Sequence, residues 1–208
     1  MSELLDAMNV YFSKIHSPKY FENLAGKYAF PKNPDAVRRV LNGEYVFLRP
    51  RQPDFGEFER KFGFPLPSVL KEFFSYFHPS FEGTHPLNPH SEELSTHESL
   101  RDDALDAIIS RMEFCERWFP HFQEERRFVP AGYVNVSSDF LWMERKTGRI
   151  FVEWNLNPDG TEIRDSSGKP TAGNVYPTPI SNSLAEFICE LDPYGAPYHK
   201  TLEERTTI

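Results

Sequence analysis

Apolar residues recur at three- and four-residue intervals through residues 2–16, where Leu4, Leu5, Met8, Tyr11, Phe12 and Ile15 share one face, and this spacing predicts an amphipathic helix. A short second helix is expected over Asn33 to Asn42, with Pro34 in its first turn and Gly43 closing it. "EYVFLR" (44–49) reads as a strand broken by "PRQP" (50–53). Phe55, Phe58 and Phe62 then mark a helix from about Asp54 to Lys61, ended by Gly63, because glycine accepts the left-handed conformation usual after a last turn. Pro65 cannot continue that helix, whereas Pro67 suits the first turn of the next, which carries Val69, Leu70, Phe73, Phe74 and Phe77 inward. The result is a helix pair with a rigid Gly-x-Pro-Leu-Pro joint.

Beyond it, "EGTHPLNPHSEELSTH" (82–97) is polar and weakly periodic, and reads as an irregular excursion. Ala104, Leu105, Ile108, Ile109, Met112, Cys115 and Phe119 predict a helix over about Leu100 to Phe119. Strands follow at 126–133, 139–146 and 149–155, the last two joined at Thr147-Gly148 as an antiparallel hairpin. Residues 157–174 are a polar loop or frayed hairpin, and Ser183-x-x-Glu186 is a capping box opening a last helix with Leu184, Phe187, Ile188 and Leu191 facing in. The predicted class is α+β, with N-terminal helices packed on a mainly antiparallel sheet and a C-terminal closing helix. The chain divides into an N-terminal helical extension (1–50), a central domain (51–195) and a tail (196–208).

Nineteen phenylalanines among 208 residues supply a core, and a mean hydropathy of −0.55 fits a soluble domain. No apolar run is long enough to span a bilayer, the acidic N-terminus lacks a secretory n-region, and the two cysteines fit a reducing cytosol. A net charge of −8 argues against direct contact with nucleic acid, which needs a basic footprint. Between Glu82 and Glu125 eleven acidic residues face three arginines and no lysine. Read functionally, this is a patch for a basic protein partner, with Glu92, Glu93, Asp102, Asp103 and Asp106 as candidate contacts. Trp142 is open to either role, core or interface, and is carried as an aromatic anchor candidate, while Trp154 reads as core.

Candidate chemistry is thin. His78, His85, His90 and His97 crowd one region, but their spacing is irregular in loop-like text, so a polar surface loop is the better account than a metal site. Nucleophile elbows and glycine-rich phosphate loops are absent from the sequence, and neighbouring carboxylates such as Asp102 and Asp103 diverge on a helix. Neither a cofactor nor an enzymatic activity is expected.

"FGEFERKFGFPLPSVLKEFFSYF", with Phe55, Glu59, Gly63, Leu66 and Pro67 in place, resembles the paired-helix motif of the SUKH superfamily, best known as immunity proteins of bacterial polymorphic toxin systems and including yeast regulators of cell-wall synthesis. "FVPAGYVNVSSDFLWMERKTGRIFVEW" is similar to the family's aromatic strand pair at Phe140, Gly148, Ile150, Phe151 and Trp154, and Ser183, Leu184, Phe187 and Ile188 loosely match its closing helix. The likeness covers Asp54 to Leu191. "FHPSFEG" replaces the family's usual Asn-Gly, and the Glu82 to Glu125 stretch is a long insertion. The resemblance implies a cytoplasmic, non-enzymatic binder that neutralises a cognate toxin domain, often one acting on nucleic acid. The alternative it leaves open is a regulatory or scaffold domain with no toxin partner.

Overall fold

The computed structural model describes residues 2–15, 42, 48–78, 81–88, 93–97, 99, 104–118, 126–134, 140–154, 174–175 and 179–193. They form an α+β fold of five helices and eight strands: α1 (Glu3–Ile15), β1 (Arg49–Pro50), α2 (Gly56–Phe62), α3 (Ser68–Phe74), β2 (Tyr76–Phe77), β3 (Glu82–Gly83), β4 (Leu94–Thr96), α4 (Ala104–Trp118), β5 (Phe128–Val134), β6 (Phe140–Glu144), β7 (Ile150–Trp154), β8 (Asn174–Val175) and α5 (Leu184–Glu190). Strands β3 to β8 lie in sequence order in one antiparallel meander, and β1 pairs with β2 apart from it. None of these helices is long and apolar enough to cross a membrane.

The predicted helix over 33–42 and the polar stretch 157–174 lie, but for Asn42 and Asn174, outside the described residues. Helix α1 buries Leu4, Ala7, Met8, Tyr11 and Phe12 in the same core as the later helices. Its polar ends act as clips. The Tyr11 hydroxyl donates to the Glu82 carbonyl at 2.8 Å and accepts from the Glu82 N–H at 3.0 Å. Lys14 Nζ donates to the carbonyls of Cys189 and Leu191, placing a cation on the C-terminal turn of α5. At the other end of α5 the Ser183 hydroxyl accepts from the Glu186 N–H at 3.0 Å, while Glu186 reaches back to the N–H of Asn182 rather than to that of Ser183.

The phenylalanine-rich joint has the expected form. Gly63 closes α2 with φ +71 and its N–H bonded to the Glu59 carbonyl, and α3 starts directly after Pro67. Phe58, Phe62, Leu66, Leu70, Phe73 and Phe74 are all buried. Full burial of each such side chain contributes roughly 2–3 kcal/mol. Helix α3 is nevertheless shorter than its periodicity suggests. At Ser75 the hydroxyl turns back to the Lys71 carbonyl, the backbone carbonyl receives the Arg51 N–H, and Tyr76–Phe77 pair with Pro50 and Arg49. Strand pairing thus takes the place of the last predicted helical turn.

The polar excursion is more ordered than its composition suggests. Leu94, Ser95 and Thr96 are fully buried in β4, between β3 and β5. The histidines occupy separate buried settings, with His90 outside the described residues. His78 packs on Phe73 at 4.2 Å, His85 stacks on Phe187 and bonds Glu190 at 2.7 Å, and His97 lies near Tyr133. A surface loop is therefore the wrong description for His78, His85 and His97. Among the described residues no three His, Cys, Asp or Glu side chains converge as a metal would require.

His97 carries a consequence for pH. Burial, and secondarily the charge of Arg111, lower its pKa to about 4, and its Nε2 has no hydrogen-bond partner among the described residues. The unfolded chain protonates this histidine near 6.5, so between pH 6.5 and 4 it binds a proton that the folded chain refuses. Stability is then expected to fall by about 1.4 kcal/mol per pH unit through that window, about 3 kcal/mol in all, and this histidine's own contribution should level off below pH 4. Urea unfolding at steps from pH 7 to pH 4 measures this slope, and His97→Gln should reduce it, leaving the part contributed by His85, whose pKa burial also lowers.

The sheet is buried on both faces, which explains the unbroken burial of β6. Leu141, Met143, Ile150 and Val152 face the main core, while Phe140, Trp142 and Phe151 form a second cluster with Phe128 at its edge. Trp142 is 1% exposed, and its indole N–H donates to Glu153 Oε2 at 2.8 Å, with Glu153 itself fully buried. The assignment of Trp142 as a surface anchor for a partner is thus corrected: it is a core residue of the second face.

Candidate functional site

The alternation of the joint sets one wall of a surface groove among the described residues. Phe62, Phe64 and Leu66 point into the core, so Pro65 is turned outward and Pro67 sits half-buried at the rim. Two rigid rings and the N-terminal turns of α3, with Ser68 and Lys71, line that side. The groove they bound is about 930 Å³.

The opposite wall comes from antiparallel register. Phe128 pairs with Glu144, and one step further the Arg145 N–H bonds the Arg127 carbonyl at 2.8 Å. Residues 126–127 and 145–146 are therefore brought side by side, and each pair is basic. Arg126, Arg127, Arg145 and Lys146 all line the groove.

These cations are held rather than loose. Arg145 lies 3.6 Å from the centre of the Phe64 ring and donates to the Arg126 carbonyl at 2.7 Å. Partial burial, and then the nearby charge of Arg126, depress the pKa of Arg145. Arg126 donates to the Phe62 carbonyl, next to the Gly63 turn, and stands 3.6 Å from Glu116. Its φ of +41 makes it the one non-glycine residue with left-handed backbone among those described, a conformation costing roughly 1 kcal/mol. Such strain persists where surrounding contacts enforce it, and it gathers at functional sites.

Glu144 is the single acidic residue of the lining among the described residues. It accepts from Thr147, and Arg127 Nε and Nη2 both reach its Oε1 at 2.5 Å, which together keep its carboxyl below the usual range. It therefore stays ionised and fixes Arg127 in place. On the other wall Lys71 pairs with Glu59.

The residues expected at a partner surface fall elsewhere. Asp106 is exposed in the first turn of α4, and Glu93 is half-buried just ahead of β4. Glu92, Asp102 and Asp103 lie outside the described residues. Further along α4, Glu113 pairs with Lys61 at 2.5 Å and Glu116 approaches Arg126, so part of this helix's negative charge is answered from within the fold. The structure brings together a basic site that the reading of charge runs passed over. Its signal was two short pairs, Arg126-Arg127 and Arg145-Lys146, on consecutive predicted strands, where only hairpin-like register joins them. No family model matches the chain, and no curated protein matches it.

Proposed function

We propose that this chain is a non-enzymatic protein-binding domain of the immunity type, which acts in the cytoplasm by holding a cognate toxin domain inactive. The observation that carries the binding reading is the groove beside the Pro-Leu-Pro joint. Its lining charges are guanidinium and ammonium groups with one carboxylate, Glu144, that is tied to Arg127, a set suited to attracting and holding an anion. The immunity reading adds the sequence resemblance over Asp54 to Leu191. Asp106, exposed in the first turn of α4, offers a second, acidic contact that suits a toxin with a basic, nucleic-acid-directed cleft. In this reading neither a cofactor nor direct contact with nucleic acid is needed.

Capture of the tagged full chain from its native cells, followed by expression of each captured domain in a foreign host with and without this chain, tests the reading. Growth arrest by a captured domain, relieved on co-expression, is the expected result. A captured partner that is harmless alone would replace immunity with a regulatory or scaffold role.

A further inference from the structure

We propose that the groove between Pro65–Pro67 and the Arg126–Lys146 corner is a docking site for an extended acidic segment of a partner protein. The inference rests on the protein-binding reading above and names the chemistry of one contact within it. Among the described residues five cationic side chains and one carboxylate line the groove, and even with Glu59 and Glu116 paired to Lys71 and Arg126 the cations outnumber the acids, in a chain whose net charge is −8. That segregation of sign is the first ground.

The second is preorganisation. Arg126 and Arg145 are fixed side by side, one by a left-handed backbone and a bond to the Phe62 carbonyl, the other by the Phe64 ring. Two like charges held together repel, and an anion between them relieves the repulsion without either side chain having to be ordered first. Arg127 is likewise held, by Glu144.

The third ground is shape: the facing wall carries the Pro65 and Pro67 rings beside Ser68 and Lys71, which suits the side-chain stems and backbone of an extended peptide rather than a compact ion. Nucleic acid is the poorer fit. A long polyanion meets the repulsion of the whole acidic chain, whereas a short acidic segment senses charges within a screening length of about 8 Å. Phe64, the aromatic ring beside the groove, is buried and already covered by Arg145, so it offers no face on which a base could stack.

Fluorescence anisotropy with the full chain tests this, using a labelled peptide of about ten residues of Asp, Glu and Pro, which spans ~30 Å when extended. Its Asn/Gln counterpart and a single-stranded DNA of equal charge serve as competitors. The acidic peptide is expected to bind with affinity falling as salt rises, and Arg127→Gln with Lys146→Glu to weaken it tenfold or more at an unchanged melting temperature. Ser13→Glu with Arg60→Glu, at exposed sites outside the groove, matches the double variant's change of three charges and should leave binding intact. Equal binding of the Asn/Gln peptide, tighter binding of DNA lost in the same double variant, or no binding of the acidic peptide would each overturn the proposal. The two readings fail separately. A double variant that still relieves toxicity on co-expression removes the groove and spares immunity; groove-dependent peptide binding without any toxic partner does the reverse.

Discussion

Alanine at position 132 is expected to destabilise the fold by about 3 kcal/mol or more, at the upper end of what overpacking costs. Gly132 sits where the β5–β6 register shifts between Pro130 and Gly132, and it pairs with Thr96 of β4 on its other side. A Cβ there would stand 2.0 Å from the Ser95 carbonyl oxygen and 2.8 Å from the Thr96 Cα. Both are backbone atoms of a fully buried strand, so no side chain can swing aside to relieve the clash. The strands must part, and β4, with only three residues, has few ladder bonds with which to resist. For a chain of this size the loss corresponds to a melting temperature lower by roughly 6–12 °C. Thermal unfolding of Gly132→Ala by circular dichroism checks this; a shift under 2 °C would mean that the bulge relaxes and that β4 is not pinned by it.

That close approach is not visible in "RRFVPAGYV", where the glycine reads as an ordinary small residue between apolar ones. The elements that could be read were those whose signal is local. Gly63 and Pro67 bracket a turn through their own backbone preferences, Ser183 caps α5 through a hydroxyl three residues from its target, and the Thr147-Gly148 hairpin follows from turn chemistry. What escaped was decided by distant partners. The last turn of α3 yields to pairing with Arg49 and Pro50, about 25 residues earlier in the chain, because ladder hydrogen bonds satisfy the backbone there as well as a helix would. His85 and His97 look like surface residues until strands and helix α5 close over them.

The basic groove was hidden for a related reason. Charge read along the chain finds the long acidic run ending at Glu125 and stops one residue short of Arg126-Arg127. Clustering across strands depends on register, and register places Arg127 opposite Arg145. The candidate site is therefore a product of the β5–β6 pairing and the proline joint meeting, and neither alone would have located it.

Register also settles Trp142. If it were a surface anchor, Trp142→Ala would cost partner affinity and change stability by no more than about 0.5 kcal/mol. In its buried setting a loss of about 4 kcal/mol is expected instead, the range for deleting a large core aromatic. The side chain fills the space between Phe128, Phe140 and Phe151, with the Phe140 ring centre 5.7 Å away, so its removal leaves a cavity under β6 and β7. The indole also donates to the buried Glu153, and that carboxylate loses a donor it cannot replace with water. The two contributions separate on substitution. Trp142→Phe keeps a ring in place and deletes the N–H, and is expected to cost about 1–3 kcal/mol, the range for a buried acceptor that loses one donor. In a Glu153→Leu background the same change should cost much less, because there the acceptor is gone. Urea denaturation of the four proteins in this cycle measures the coupling. Additive costs would show that Glu153 draws nothing from the indole, and that Trp142 holds the second face of the sheet by packing alone.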